Sequence, residues 1–279
     1  MQAAPLELTQ LGRYRVDALI GRGAMGAVYR GIDPATGQIV ALKTLALARE
    51  FNGEALTEAR ERFNREAQTA ARLQHPGIVR VFESGEDQGL AFMAMEYVLG
   101  ESLGEHTGAA TRLPPAQVVA IGAQVADALD HAHRQGVVHR DIKPANVLLD
   151  RTTGTVKVAD FGIARITDAT RTRTGLMLGT PSFMAPEQMA GGRIDGRTDL
   201  YSLGVMLFQL ITGVLPHASE SMARLMYAIA NEPAADLRSL RPELPEALAR
   251  VVAQALEKRP ERRAADASRM AADLRAVNG

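Results

Sequence analysis

The sequence predicts an α+β protein: a small antiparallel β lobe with one helix, joined to a larger, mainly helical lobe. Three observations predict it. Short runs with β-branched residues, separated by turn residues, fill much of the first third of the chain. Apolar residues at helical spacing dominate from Pro114 onward. The character of the chain changes between these regions, near Val98 to Ser102. Length is compatible: 279 residues leave room for roughly two domains at about 150 residues each.

In order, Tyr14 to Leu19, Ala27 to Asp33 and Gln38 to Thr44 read as strands. Gly21-Arg-Gly23 and Asp33-Pro-Ala-Thr-Gly37 supply the turn chemistry between them. Glu54 to Leu73 reads as a helix, with Phe63, Ala67, Ala70 and Ala71 on one face and His75-Pro76-Gly77 ending it. Val79 to Ser84 and Leu90 to Tyr97 complete a small sheet. Pro114 and Pro115 open a helix to about Gln135, and Gly136 caps it. Short strands are expected on the flanks of Asp141 and Asp160, and helices from about Gln188 to the end.

Composition narrows the function. With 46% hydrophobic and 23% charged residues, the chain is not disordered. Lys plus Arg equals Asp plus Glu at 32, which weakens any reading that needs a basic, nucleic-acid-binding domain. The absence of Cys excludes disulfides, thiolate zinc sites and cysteine nucleophiles together. Met1 to Gln10 lacks the basic and apolar regions of a secretory signal. The apolar run Leu200 to Leu215 contains Ser202, Gln209 and Thr212. It falls short of the roughly 20 apolar residues of a membrane span and reads as a buried helix.

Several motifs carry chemistry. Gly21-Arg-Gly23-Ala-Met-Gly26-Ala-Val28 lies between two strands, where a glycine loop can offer backbone N–H groups to phosphates. A flexible hairpin is the plain alternative for this motif alone. Val40-Ala41-Leu42-Lys43 alternates: if Val40 and Leu42 face one side, Ala41 leaves space for a flat base and Lys43 reaches toward phosphates. A lone strand lysine is usually solvated, and Glu66 is the best acid to pair with this one. His139-Arg140-Asp141-Ile-Lys143-Pro-Ala-Asn146 is the specific signal. Asp141 can accept the proton of an attacking hydroxyl, Lys143 can neutralise a transferred phosphoryl group, and Asn146 can offer Mg²⁺ a neutral oxygen. Asp160-Phe161-Gly162, nineteen residues after Asp141, adds an anionic oxygen for the same ion. Ala185-Pro186-Glu187 closes the segment that begins at Asp160.

These motifs together resemble the eukaryotic-like (Hanks-type) Ser/Thr protein kinases, the bacterial branch most of all, from about Leu11 to Leu274. The resemblance implies the bilobal protein-kinase fold with ATP in its cleft. Residues 1–10 would be an N-terminal extension and 11–275 the kinase domain. Its N-lobe would span about 11–97, its hinge about 96–101 and its C-lobe about 102–275. Ile20, Gly21, Gly23, Gly26 and Val28 would cover the phosphates, with Ala41 against the base. Lys43 would hold the α- and β-phosphates and pair with Glu66. Met95 matches the gatekeeper, Glu96 to Val98 the adenine-binding hinge, and Leu148 the floor of the base. Asp141 would be the catalytic base beside Lys143, and Asn146 and Asp160 would ligate Mg²⁺, with Mn²⁺ as an alternative ion. Glu187 would pair with Arg263, and Asp199 would anchor the catalytic loop.

The resemblance also implies regulation. Arg140 beside Asp141 suits a phosphorylated activation segment, because a phosphothreonine carries about −1.5 to −2 charge. Thr172 and Thr174 align with threonines that bacterial relatives autophosphorylate, and Thr170 is a third option. Lys143 and Gly179-Thr180 match the Ser/Thr-specific pattern. The expected partners are ATP and Ser/Thr-bearing protein substrates, with no nucleic acid, no membrane segment in this chain and a homodimer through the N-lobe. The expected location is cytoplasmic. Two rival readings are a catalytically silent nucleotide-binding signalling scaffold and a small-molecule phosphotransferase. Intact Asp141 and Asp160 argue against the first, and the glycine loop and Ala-Pro-Glu region against the second.

Overall fold

The computed structural model describes residues 8–23, 26–108, 110–161 and 181–277. The described residues divide into two compact units. One holds residues up to 74 and 79–98; the other holds 75–78 and the chain from 99 onward.

The first unit is a six-stranded antiparallel sheet. Its strands are β1 (Gln10–Leu11), β2 (Tyr14–Gly23), β3 (Gly26–Ile32), β4 (Ile39–Leu45), β5 (Val81–Asp87) and β6 (Leu90–Glu96), in the order β1-β2-β3-β4-β6-β5. Leu11, Tyr14, Val40, Leu42, Phe92 and Ala94 form a core on one face. Strand alternation therefore turns Ala41, Lys43, Met93 and Met95 to the other face. Ala41 is paired with Met95 across the ladder, and Lys43 with both Val28 and Met93. Helix α2 (Gly53–Ala71) packs on β5 and β6 through a stripe of Ala59, Phe63, Glu66, Ala67 and Ala70.

One expectation for this unit needs correction. The unit has a second helix, the single turn α1 (Leu47–Glu50), which is too short to show periodicity in the sequence. Helix α2 starts at Gly53, one residue before the expected Glu54, and ends at Ala71. Strand β1 was equally illegible, since two residues have no period; β2 holds it by ladder pairing.

In the second unit, β7 (Glu101–Ser102), β8 (Val147–Leu149) and β9 (Val156–Val158) make a three-stranded antiparallel sheet. Helix α3 (Pro115–Arg134) buries Val118, Ile121, Val125, Ala128 and Leu129, and Gly136 follows it at φ +74°. The short helix α4 (Pro186–Met189) precedes α5 (Gly196–Thr212). The apolar run weighed as a span forms most of α5, which is buried from Thr198 to Phe208. It packs on α3 and, further along the chain, on α8 (Glu246–Ala255). Helices α6 (Met222–Asn231), α7 (Leu237–Leu240) and α9 (Ala267–Ala276) complete the described helices, α9 lying on α3. A helix apolar all round is a core helix. Among the described residues, no helix is long and apolar enough to cross a membrane.

The expected strand before Asp141 is absent. Residues 137–143 form no ladder. Side chains satisfy much of their backbone instead, and those side chains build the site.

Candidate active site

The loop 139–146 hangs from one buried carboxylate. Asp199, on the first turn of α5, is fully buried. Its Oδ2 accepts from the backbone N–H of His139 at 2.8 Å, and its Oδ1 from that of Arg140 at 2.7 Å. His133, near the end of α3, donates Nε2–H to Oδ2 at 2.7 Å. Gly196 makes this approach feasible: a Cβ there would lie 2.5 Å from the His133 ring.

His139 links the two halves of the site. The Asp141 backbone N–H donates to His139 Nδ1 at 3.2 Å, so the ring proton is on Nε2, which donates to the Ala159 carbonyl at 2.8 Å. The Ala159 N–H in turn donates to the Asn146 carbonyl at 2.9 Å. The residue before Asp160 is thus tied to both ends of the loop. Phe161 meets the His139 ring edge-on at 4.6 Å. Arg140 and Asp160 both take φ +68°. Non-glycine residues rarely adopt that region, and strain of this kind clusters at functional sites.

Three polar side chains converge inside the loop. Lys143 Nζ lies 2.7 Å from Asp141 Oδ2. Asn146 Nδ2 donates to the Asp141 carbonyl at 2.8 Å and to Asp141 Oδ2 at 3.0 Å. The Asn146 amide nitrogen is therefore engaged, which leaves its oxygen as the coordinating atom. A carboxamide oxygen and a carboxylate are hard donors that fit Mg²⁺, an ion that keeps phosphate and water oxygens as its remaining ligands. Among the described residues there is no cluster of three or more His, Cys, Asp or Glu side chains that would hold a metal alone.

Glu187 and Arg263 meet as a bidentate pair at 2.7 and 2.8 Å, with the arginine side chain wholly buried. Thr198 adds a hydroxyl to Glu187 Oε1 at 2.9 Å. Burial raises the Glu187 carboxyl, but the bonds and charge of Arg263 outweigh it and hold the group below the usual carboxylate range. Arg263 also donates to the carbonyls of Arg197, Glu257 and Lys258.

In the first unit, Ile20, Gly21, Gly23, Gly26 and Val28 lie along β2 and β3. Gly26 has no room for a side chain: a Cβ would lie 1.7 Å from the Thr44 carbonyl. Lys43 is on β4 and Glu66 on the buried side of α2 at 7% exposure. Met95 and Glu96 end β6, Val98 follows, and Leu148 is on β8 of the second unit. Thr172, Thr174 and Thr180 lie outside the described residues.

Four contributors were not foreseen. His133 holds Asp199. Gln188 donates to the Arg140 carbonyl at 2.9 Å. Ser102 donates to the Pro144 carbonyl at 3.2 Å. Thr198 binds Glu187. The spacing of His133 to Gly136 at the end of a helix is the only local trace of any of them.

A model of the protein kinase domain family matches residues 14–273. The serine/threonine-protein kinase pkn3 of Myxococcus xanthus is 41% identical over 278 residues, covering 95% of this chain and 50% of its own. PknJ of Mycobacterium tuberculosis is 42% identical over 266 residues, covering 92% and 44%. The solved kinase domain of Mycobacterium tuberculosis PknI superposes with a TM-score of 0.76 at 33% identity, covering 98% of this chain and all of that one. Rad53 in complex with AMP-PNP gives 0.77 at 25% identity, covering 93% and 64%. The chain spans half or less of the length of these two curated relatives.

Proposed function

The chain belongs to the protein kinase domain family, and from that premise we propose that it transfers the γ-phosphoryl group of ATP to serine and threonine hydroxyls of proteins. The observation that carries the reading is the Asp141–Lys143–Asn146 constellation, braced through His139 to the residue before Asp160. Asp141 accepts the hydroxyl proton and orients the nucleophile. Lys143, 2.7 Å from it, supplies positive charge where the transferred group carries its negative charge. Lys43, paired with Glu66, takes the α- and β-phosphates, and Ile20, Gly21, Gly23, Gly26 and Val28 cover them. Of the first unit, Ala41, Met95, Glu96 and Val98 are the residues proposed for the base; of the second unit, Leu148. Members of the family use ATP with a divalent metal. Here Asn146 and Asp160 would hold Mg²⁺, which neutralises phosphate charge when bound; Mn²⁺ meets the same oxygen donors.

Regulation follows from Arg140. Its Nε is buried and has no hydrogen-bond partner among the described residues. A phosphorylated Thr172 or Thr174 supplies an anion for such a guanidinium. The substrate is a protein hydroxyl, the site of action is the cytoplasm where ATP is made, and self-phosphorylation within a dimer formed through the β-rich unit fits this regulation.

Incubation with ATP-Mg²⁺ followed by mass spectrometry tests the reading. Phosphoserine or phosphothreonine on the chain or on myelin basic protein is expected. Asp141→Asn should lower transfer by roughly 10²-fold or more while ATP binding persists. ATP binding with no transfer by the wild type would favour the silent scaffold. Transfer to a small molecule alone would favour the third reading.

A further inference from the structure

Two helices open on the same local pattern, an Asn or Asp followed by glycine, and the two pairs are restrained in opposite ways. Asn52-Gly53 opens α2, and Asp195-Gly196 opens α5. The second pair is held. Asp195 Oδ1 accepts from the Arg197 backbone N–H at 2.9 Å and from its Nε–H at 3.1 Å. Its Oδ2 accepts from Arg197 Nη2 at 2.7 Å. Gly196 sits against the His133 ring, which a Cβ would approach to 2.5 Å. The first pair is open. Asn52 is exposed, and its amide makes no capping hydrogen bond. Gly53 is exposed too, at φ +56°, and a Cβ there would meet nothing within 4 Å.

The freedom of Asn52 has a chemical consequence, because an asparagine amide is a labile group. Its Cγ carbonyl can be attacked by the backbone nitrogen of the next residue, which closes a cyclic imide. Glycine offers that nitrogen with no side chain in the way. Gly53 is the first helical residue, and an N–H there has no intrahelical acceptor, so the attack breaks no helix bond that it donates. The backbone of Asn52, at φ −131° and ψ 156°, must rotate to bring Cγ to the nitrogen. Helix ends open at little cost in free energy, and neither a capping bond nor a packed neighbour resists the rotation here.

We propose that Asn52 is a spontaneous modification site, converted to aspartate and isoaspartate through a cyclic imide with Gly53. In the first step the bond from the Gly53 nitrogen to Asn52 Cγ forms and the Cγ–Nδ2 bond breaks. The Gly53 amide proton passes through water to the leaving nitrogen, which departs as ammonia. In the second step water opens the imide. Cleavage of the new N–Cγ bond gives aspartate with the main chain intact. Cleavage of the original peptide C–N bond gives isoaspartate, with the main chain rerouted through Cγ. Water is the only co-reactant. Either product sets a carboxylate before the first turn of the helix that carries Glu66, and isoaspartate also lengthens the backbone there. The conversion does not depend on whether the chain transfers phosphate.

The test is prolonged incubation of the folded 279-residue chain in mildly alkaline buffer, beside the same chain unfolded in guanidinium chloride. Tryptic peptide mapping by liquid chromatography and mass spectrometry reads the exchange of amide for carboxyl at Asn52 and separates the two isomeric products. Asn278-Gly279 falls in a different peptide. Asn52 in the folded chain should convert within roughly tenfold of its unfolded rate, with isoaspartate among the products. A slower folded-state rate overturns the proposal. Asp195 can form the same imide by losing water, and it should isomerise in the unfolded chain only. Isomerisation of Asp195 in the folded chain at the rate of Asn52 would overturn the argument from restraint. Gly53→Ala should slow the conversion by roughly tenfold or more. If that variant does not fold, Asn52→Gln serves, because the longer side chain does not close the same ring. A mass gain that persists in this peptide of Asn52→Gln overturns the assignment.

Discussion

Asp199 is fully buried and Glu187 half-buried; both are carboxylates of the second unit, and they are satisfied by opposite means. Asp199 takes two backbone N–H groups and one imidazole N–H. Glu187 takes a guanidinium and a hydroxyl. Backbone donors cannot rotate away, so Asp199 fixes the backbone of the residues that donate to it, Arg140 at positive φ included. The arginine is a movable side chain that also gathers three carbonyls, so Glu187–Arg263 ties segments together without dictating a backbone conformation. One carboxylate shapes the reacting loop; the other fastens the unit.

The sharpest way to break this contrast is Asp199→Asn. The amide keeps the shape but turns N–H groups toward at least one existing donor. Transfer should fall by roughly 10²-fold or more, because sub-ångström placement of Asp141 is lost. Stability should fall by about 1–3 kcal/mol for each donor left unpaired. Phosphotransfer assays below the melting temperature separate the two effects. A variant that keeps near-native turnover removes Asp199 from the role of loop template.

Arg263→Met should invert the pattern. It leaves Glu187 buried without its cation, which costs about 3–5 kcal/mol in urea unfolding. Adding Glu187→Gln should recover much of that loss, since an apolar and neutral pair can replace a buried ion pair. Turnover of the folded fraction should change less than in Asp199→Asn. Equal losses of turnover in the two variants would erase the distinction.

The difference between the two carboxylates also explains what the sequence could show. Asp141, Lys143 and Asn146 act within one loop, so their spacing is their chemistry and they are legible as a string. The alternation Val40-Ala41-Leu42-Lys43 is legible for the same local reason. The Asp199 contacts span 59 to 66 residues and the Glu187–Arg263 pair 76, distances at which no spacing rule operates; only the family resemblance pointed to them. His133, Ser102 and Gln188 depend on tertiary register and left almost no local trace. The strand expected before Asp141 failed because apolar Val137-Val138 mimics a strand, whereas side-chain acceptors take the N–H groups of the residues that follow.

A titration separates the stability of this region from its carboxylates. His217 Nε2 accepts from Lys258 Nζ at 2.9 Å, and burial and the neighbouring ammonium push the imidazole down to about 4. The same surroundings, burial first and then Arg263, lower Lys258 to about 8. Because the folded histidine binds its proton more weakly than the unfolded one, stability is full above about pH 6.5. It is lost as pH falls from there toward about 4, by on the order of 1–3 kcal/mol. Glu187, depressed below its ordinary value, adds loss only at lower pH still. His217→Phe should flatten the upper part of this acid limb and leave the Glu187 part. Unfolding curves across that range that are identical to wild type would show that His217 carries none of it.

The smallest effect is expected at His133, where the two backbone donors to Asp199 remain after the imidazole is removed. His133→Ala should cost about 1–3 kcal/mol and lower turnover only a few-fold. Gly196 supplies the control. Gly196→Ala alone places a Cβ 2.5 Å from the His133 ring and should cost about 1–3 kcal/mol by overpacking. In the His133→Ala background the clash is gone, and the alanine should instead gain about 0.5–1 kcal/mol from helix propensity in the first turn of α5. The double-mutant cycle should therefore show strong favourable coupling. Additive losses would mean that the first turn of α5 can shift to admit the methyl group, and with it the carboxylate of Asp199. In that case the loop is held by a movable anchor, and the two carboxylates are less different than their donors make them.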